Sequence, residues 1–225
     1  MGCYDDKMFH KNKFFFILMT SCLIFHIGCS KQPKQNTSNN KSVVSKPTSV
    51  YRAKNTTDIK GNDEATFEKE YIKAYTLFFQ HKYEESIKIC DEIIKKDSKF
   101  YKAYTTKGIS LCFLNDFENG LKNINKSLEI NPNFPYGRFN KALAYELYGY
   151  YDESLKWYDK ALEVENYIWS YYGKASIYGR LGDVDNTIKY LKIALNMDST
   201  IKDTIKSERD FDPVRNDPKF KDLVK

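Results

Sequence analysis

The sequence predicts an all-α protein: an array of helix-turn-helix repeats closed by C-terminal capping helices. Three observations point there. Ala74, Gly108, Ala142 and Ala175 recur at steps of 34, 34 and 33 residues. A second small column, Ser86, Gly120, Ser154 and Thr187, keeps the same register. No segment carries the two-residue alternation of a strand. A period of this length marks stacked units, each burying its apolar face against the next.

Each element has its own reason in the residues. Small side chains belong where the two helices of a pair cross closely, because interaxial distance follows the residues at the contact. Larger apolar columns flank them: Leu77, Leu111, Tyr145 and Tyr178, then Ile87, Leu121, Leu155 and Ile188. Tyr83, Phe117, Tyr151 and Val184 are placed to open the second helix of each pair. The turn inside each pair falls at His81, Asn115, Gly149 and Gly182, where glycine and its better substitutes allow positive φ. Each pair ends on stopping or capping residues: Asp97-Ser98, Asn131-Pro132, Glu165-Asn166 and Asp198-Ser199. The expected repeats are 67–100, 101–134, 135–167 and 168–201, within a domain spanning 63–201.

This set of columns resembles the tetratricopeptide repeat (TPR) family. The fullest copies are Tyr104…Lys107-Gly108…Leu111…Phe117…Gly120…Ser127-Leu128…Asn131-Pro132 and the run from Ala142 to Asn166. Glu70, Asp97-Ser98 and Val184 depart from the family's usual residues, and they fall in the first and last copies. The resemblance implies a right-handed superhelix whose first helices line a concave face. Residues 202–225 read as the cap. Ile205 extends one more helix, Phe211 and Val214 turn back onto the last repeat, and Asp217-Pro218 start a final short helix carrying Phe220, Leu223 and Val224.

The N-terminus suggests a location. Phe14 to Phe25 is a short apolar run behind Lys11 and Lys13, followed by Ile27-Gly28-Cys29. This reads as a signal peptide over 1–28. It resembles a bacterial lipobox, with His26 where an aliphatic residue is usual, so Cys29 is the expected lipidated residue. An extracytoplasmic, membrane-anchored lipoprotein of the cell envelope follows as an expectation. Residues 29–62, rich in Lys, Asn, Ser and Thr, read as a flexible basic tether reaching about 30 Å. Lys31, Lys34, Lys41, Lys46, Arg52, Lys54 and Lys60 stand against Asp58, giving +6 over 30–60 and −1 over 61–225. The repeats therefore lack the basic face that nucleic acid needs.

Catalytic residues and cofactor motifs are not apparent. His81 is the only histidine after the signal, so neither a His-based triad nor a zinc cluster can be assembled. No metal or cofactor is expected. Cys90 and Cys112 read as buried thiols or, in an oxidising compartment, as a disulfide.

What remains is a binding surface. Mapped by the period onto the face that the resemblance assigns, the groove residues are Tyr71, Tyr75, Phe79, Lys102, Ile109, Phe113, Phe139, Asn140, Leu143, Trp169, Tyr172 and Arg180. Such rings suit a peptide or helix of another envelope protein. The alternative is that several fold inward and pack between repeats. Members of the family that clamp a carboxylate tail use Lys, Arg and Asn in these rows, and here only Asn140 matches. Lys73, Lys107, Lys141 and Lys174 form a column that reads either as a basic stripe or as stems covering a neighbouring helix. The expected function is a non-enzymatic scaffold. A glycan-associated envelope factor recruiting a cell-wall enzyme and a self-assembling chain are the rivals.

Overall fold

The computed structural model describes the backbone from Lys60 to Lys225 and side chains from Thr66 onward. The expected signal peptide, Cys29 and most of the expected tether lie outside the described residues. Eight helices form four antiparallel pairs: α1 (Lys60–Phe79) with α2 (Tyr83–Lys96), α3 (Tyr101–Phe113) with α4 (Phe117–Ile130), α5 (Pro135–Leu147) with α6 (Tyr151–Leu162), and α7 (Ile168–Arg180) with α8 (Val184–Met197). A 3-10 turn (Ser199–Ile201), α9 (Lys202–Ser207), a second 3-10 turn (Arg209–Phe211) and α10 (Pro218–Leu223) follow. Each second helix begins on the column Tyr83, Phe117, Tyr151, Val184. At 20 residues, α1 is longer than the other first helices.

The turns obey the backbone argument. His81, Asn115, Gly149 and Gly182 have φ of 61°, 68°, 78° and 74°. The N–H of the residue after each donates back to the first helix, as from Lys82 to Leu77 O and from Asp183 to Tyr178 O, both at 2.9 Å. Asp116 and Asp183 then cap α4 and α8, their carboxylates accepting from Asn119 N and Asn186 N.

The small columns set how closely the pairs cross. Ser86 Oγ donates to Ala74 O at 2.7 Å, and Ser154 Oγ donates to Ala142 O at 2.8 Å. In the second pair both residues are glycine. A Cβ on Gly108 would stand 2.6 Å from Gly120 O, and one on Gly120 would stand 2.4 Å from Cys112 Sγ. Ala74, Ala142, Ala175, Ser86, Ser154 and Thr187 are likewise fully buried. Successive first helices touch along the array (α1 with α3, α3 with α5, α5 with α7), which puts them on the inner side of its curve.

Two substitutions test this geometry. Gly108→Ala forces backbone apart at the tightest crossing and is expected to cost about 1–3 kcal/mol. Gly182→Ala meets no atom within 4 Å and pays only for its left-handed backbone, about 1 kcal/mol. Urea denaturation of both variants should rank them in that order.

Candidate functional site

The twelve residues mapped to the inner face divide sharply. Tyr75, Phe79, Lys102 and Arg180 keep part of their surface, whereas Tyr71, Ile109, Phe113, Phe139, Asn140, Leu143, Trp169 and Tyr172 are buried. Those eight pack between helices rather than offering open surface. Phe113 stacks on Tyr83 at 5.2 Å between centroids, and Phe139 meets Tyr158 at 5.8 Å. Asn140 is 1% exposed, and its amide donates to Tyr136 O at 2.7 Å, so the one residue matching a carboxylate clamp is already engaged. Lys102 is paired with Glu68.

At the C-terminal end the cap occupies the inner face. A Cβ on Gly179 would lie 2.6 Å from the Phe211 ring and 2.8 Å from Asp210 O, so this glycine lets the chain after α9 lie against α7. Tyr172 meets Phe211 edge-on at 5.8 Å. Arg180 forks onto Asp210, with Nε to Oδ1 at 2.7 Å and Nη2 to Oδ2 at 2.8 Å. Ser176 also donates to that carboxylate. Tyr172 and Arg180, mapped as groove residues, thus hold the cap. Sequence periodicity missed this because Asp210 lies outside the repeat.

The same guanidinium approaches a second carboxylate. Arg180 Nη1 lies 3.3 Å from Glu146 Oε1, an ion-pair contact without hydrogen-bond geometry, while Tyr158 donates to Glu146 Oε2 at 2.6 Å. Burial raises Glu146 to about 7, against the pull of Arg180 and the Tyr158 hydroxyl. One guanidinium committed to Asp210 does not neutralise both acids, and Glu208 adds a third carboxylate nearby. Burial works to lower the Arg180 pKa, but Glu146 and Asp210 hold it above its ordinary value.

Between the first repeat and the junction of the third with the fourth, the inner face opens into a cleft of about 210 Å³, lined by Tyr75, Pro135, Tyr136, Phe139, Ala161, Glu165, Tyr167 and Ser170. Tyr75 of the first repeat reaches Tyr136 of the third, with centroids 5.6 Å apart. The residues between them in the second repeat are small: Thr105 and Thr106 are buried, bonding to Ser127 and Tyr71. Phe139 and Tyr167 stand perpendicular at 5.2 Å. Burial holds the Tyr136 phenol well above its usual range, and the Tyr75, Tyr71 and Tyr167 phenols add to the shift. Tyr167, Glu165 and Ser170 escaped the sequence mapping. A signal did exist for Tyr167, since Phe100, Phe134 and Tyr167 form an aromatic column just before each later first helix.

The lysine column is not a uniform stripe. Lys107 pairs with Asp91 at 2.5 Å, and Lys174 pairs with Asp159. The repeat places Asn125 in the column of those two acids, and Lys141 instead sits 3.8 Å over the Trp157 ring. Burial and the neighbouring Lys160 lower it to about 8. Cys90 and Cys112 are buried and are not bonded to each other, and burial pushes Cys90 up to about 12, far from a reactive thiolate. Among the described residues no group of three or more His, Cys, Asp or Glu could hold a metal ion, and no helix is long and apolar enough to cross a membrane.

The geometry is that of a helical repeat scaffold, with an inner face part filled, part capped and part open. The tetratricopeptide repeat pattern matches residues 137–167 and 170–201. An uncharacterized protein of Methanocaldococcus jannaschii is 37% identical over 78 residues, covering 35% of this chain and 86% of that one. The Hsp70-Hsp90 organizing protein 1 of Glycine max is 37% identical over 91 residues, covering 40% of this chain but only 15% of the plant protein. A thermophilic TPR protein of Thermus thermophilus shares the fold at a TM-score of 0.56 and 17% identity, over 61% of this chain and 76% of that one. MamA shares it at 0.51 and 18% identity, over 62% and 82%. Residues 137–201 thus carry tetratricopeptide repeats, and the chain is a TPR repeat protein, a protein–protein interaction scaffold.

The buried acid makes a pH prediction. An unfolded Glu146 titrates near 4.5 and the folded one near 7, so the fold holds an extra proton between those values. Its contribution to stability is fully present below the lower value and is lost as pH rises through the higher one. The stability of the wild type relative to Glu146→Gln should therefore fall between about pH 5 and pH 8. A flat difference in urea midpoints across that range would mean Glu146 is ionised throughout.

Proposed function

We propose that this chain is a membrane-anchored lipoprotein of the bacterial cell envelope that holds a segment of another protein on the inner face of its repeats. The reading is non-enzymatic. Its working surface is the aromatic face at the first and third repeats, with Tyr75, Phe79 and Tyr136 as contact residues. The cleft between α1, α5 and the start of α7 carries this reading, because elsewhere that face is filled by its own side chains or by the cap. Tyrosine rings give large contact area while freezing few torsions, which suits a peptide or helix. The anchoring part rests on the sequence from Lys11 to Cys29 and on the basic segment that follows, which suits anionic headgroups.

The plant relatives are named as organizers of Hsp70 and Hsp90. Chaperone-tail capture of the carboxylate-clamp kind is not proposed for this chain, since Asn140 is buried and Lys102 and Arg180 are already paired.

Two measurements test the proposal on the full-length chain. Palmitate labelling should be lost in Cys29→Ala, with the protein moving from the membrane to the soluble fraction. Crosslinked pull-down should capture one envelope protein with the wild type and lose at least about tenfold of it in Tyr75→Ala/Phe79→Ala. Equal capture by this variant, with its helical content intact, would refute the inner-face reading.

A further inference from the structure

The geometry points to a ligand class for the cleft: it receives a side-chain cation, a lysine or arginine, from the bound partner segment. This rests on the proposed inner-face function and sharpens it.

The walls supply three kinds of contact. Tyr75, Tyr136 and Tyr167, which keep part of their surface, supply ring faces, whose quadrupoles attract cations. Glu165 supplies a carboxylate at the rim; it is exposed and makes no ion pair among the described residues. Ser170 supplies a hydroxyl that can accept or donate, since its Oγ is fully buried, belongs to a residue lining the cleft and has no hydrogen-bond partner among the described residues. A buried hydroxyl left unpaired is costly, so Ser170 favours an occupant with a hydrogen-bonding group over an apolar one, and Glu165 with the rings selects a cationic donor. Among the described residues no Lys, Arg or His lines the cleft.

The neighbouring charges point the same way. The inner-face cations Lys102 and Arg180 are committed to Glu68 and to Asp210 with Glu146. An anionic side chain entering here would meet ring faces and a carboxylate with no counter-charge. A purely apolar one would cover the Ser170 hydroxyl without pairing it. A lysine or arginine satisfies all three kinds of wall: its stem lies on the rings, its N–H groups reach Ser170, and its charge faces Glu165. At about 210 Å³ the cleft admits one side chain, not a helix. Pro135 at the first position of α5 fixes the turn that carries Tyr136.

Peptide-display selection of random twelve-residue sequences on the full-length protein tests the assignment. The expected result is enrichment of peptides sharing one fixed Lys or Arg. Replacing that residue by norleucine should weaken binding about tenfold. Glu165→Gln should weaken the parent peptide severalfold but leave the norleucine peptide unchanged, because the two changes act on one interaction. Enriched peptides without a fixed cation, or a cation whose contribution Glu165→Gln does not alter, would overturn the inference while leaving the inner-face function standing. No enrichment at all would count against both. Displacement of the selected peptide by a synthetic peptide of residues 30–60 would give the cleft to this chain's own basic segment and overturn its assignment to a partner.

Discussion

Everything in this structure depends on how closely the two helices of each pair can cross. Ala or Gly faces Ser, Gly or Thr at every crossing, and two of the serines tie the pair by donating to the facing backbone carbonyl. At Gly108 and Gly120 there is no room for even a methyl group. Close crossing brings the flanking Leu, Ile and Tyr columns into contact, and that contact buries the apolar area that stabilises a chain of short helices. It also fixes the direction of each first helix. Because the first helices touch one another along the array, the same constraint generates the inner face on which function is proposed.

The inner face has three regions with different physics. In the middle, Ile109, Phe113 and Leu143 are ordinary core. At the C-terminal end, the cap is held by apolar contact of Phe211 at Gly179 and by a buried fork of Arg180 on Asp210. A buried ion pair is a weak source of net stability, yet it fixes geometry when every oxygen has a partner. Here Glu146 and Asp210 share one guanidinium, so the arrangement carries a proton-dependent component. The cleft between the first repeat and the handover from the third to the fourth combines rings, a carboxylate and a buried hydroxyl around open space.

Much of the fold was legible in the sequence, because a repeat states each rule several times. The turn column appears with positive φ at all four positions, and the second helices begin on the column assigned to open them. Asp217 and Pro218 start α10 as their capping chemistry required. The site was less legible. Period mapping tells which side of a helix a residue occupies but not what stands opposite. Tyr172 and Arg180 lie on the inner side and still meet the cap, since Phe211 and Asp210 belong to no repeat. Trp169 and Phe139 likewise face inward and are buried by neighbouring helices. Glu165 and Ser170 join the cleft through the handover between repeats, where the register shortens from 34 to 33 and periodic columns say least.

Whether the inner face is the working surface can be decided by site-specific photocrosslinking in intact cells. A benzoylphenylalanine replacing Tyr75 on the inner face is compared with one replacing Lys192, an exposed residue of α8. Function on the inner face requires one crosslinked partner of defined mass from position 75 and none from position 192. A partner captured only from position 192 would move the function off the inner face and refute that assignment.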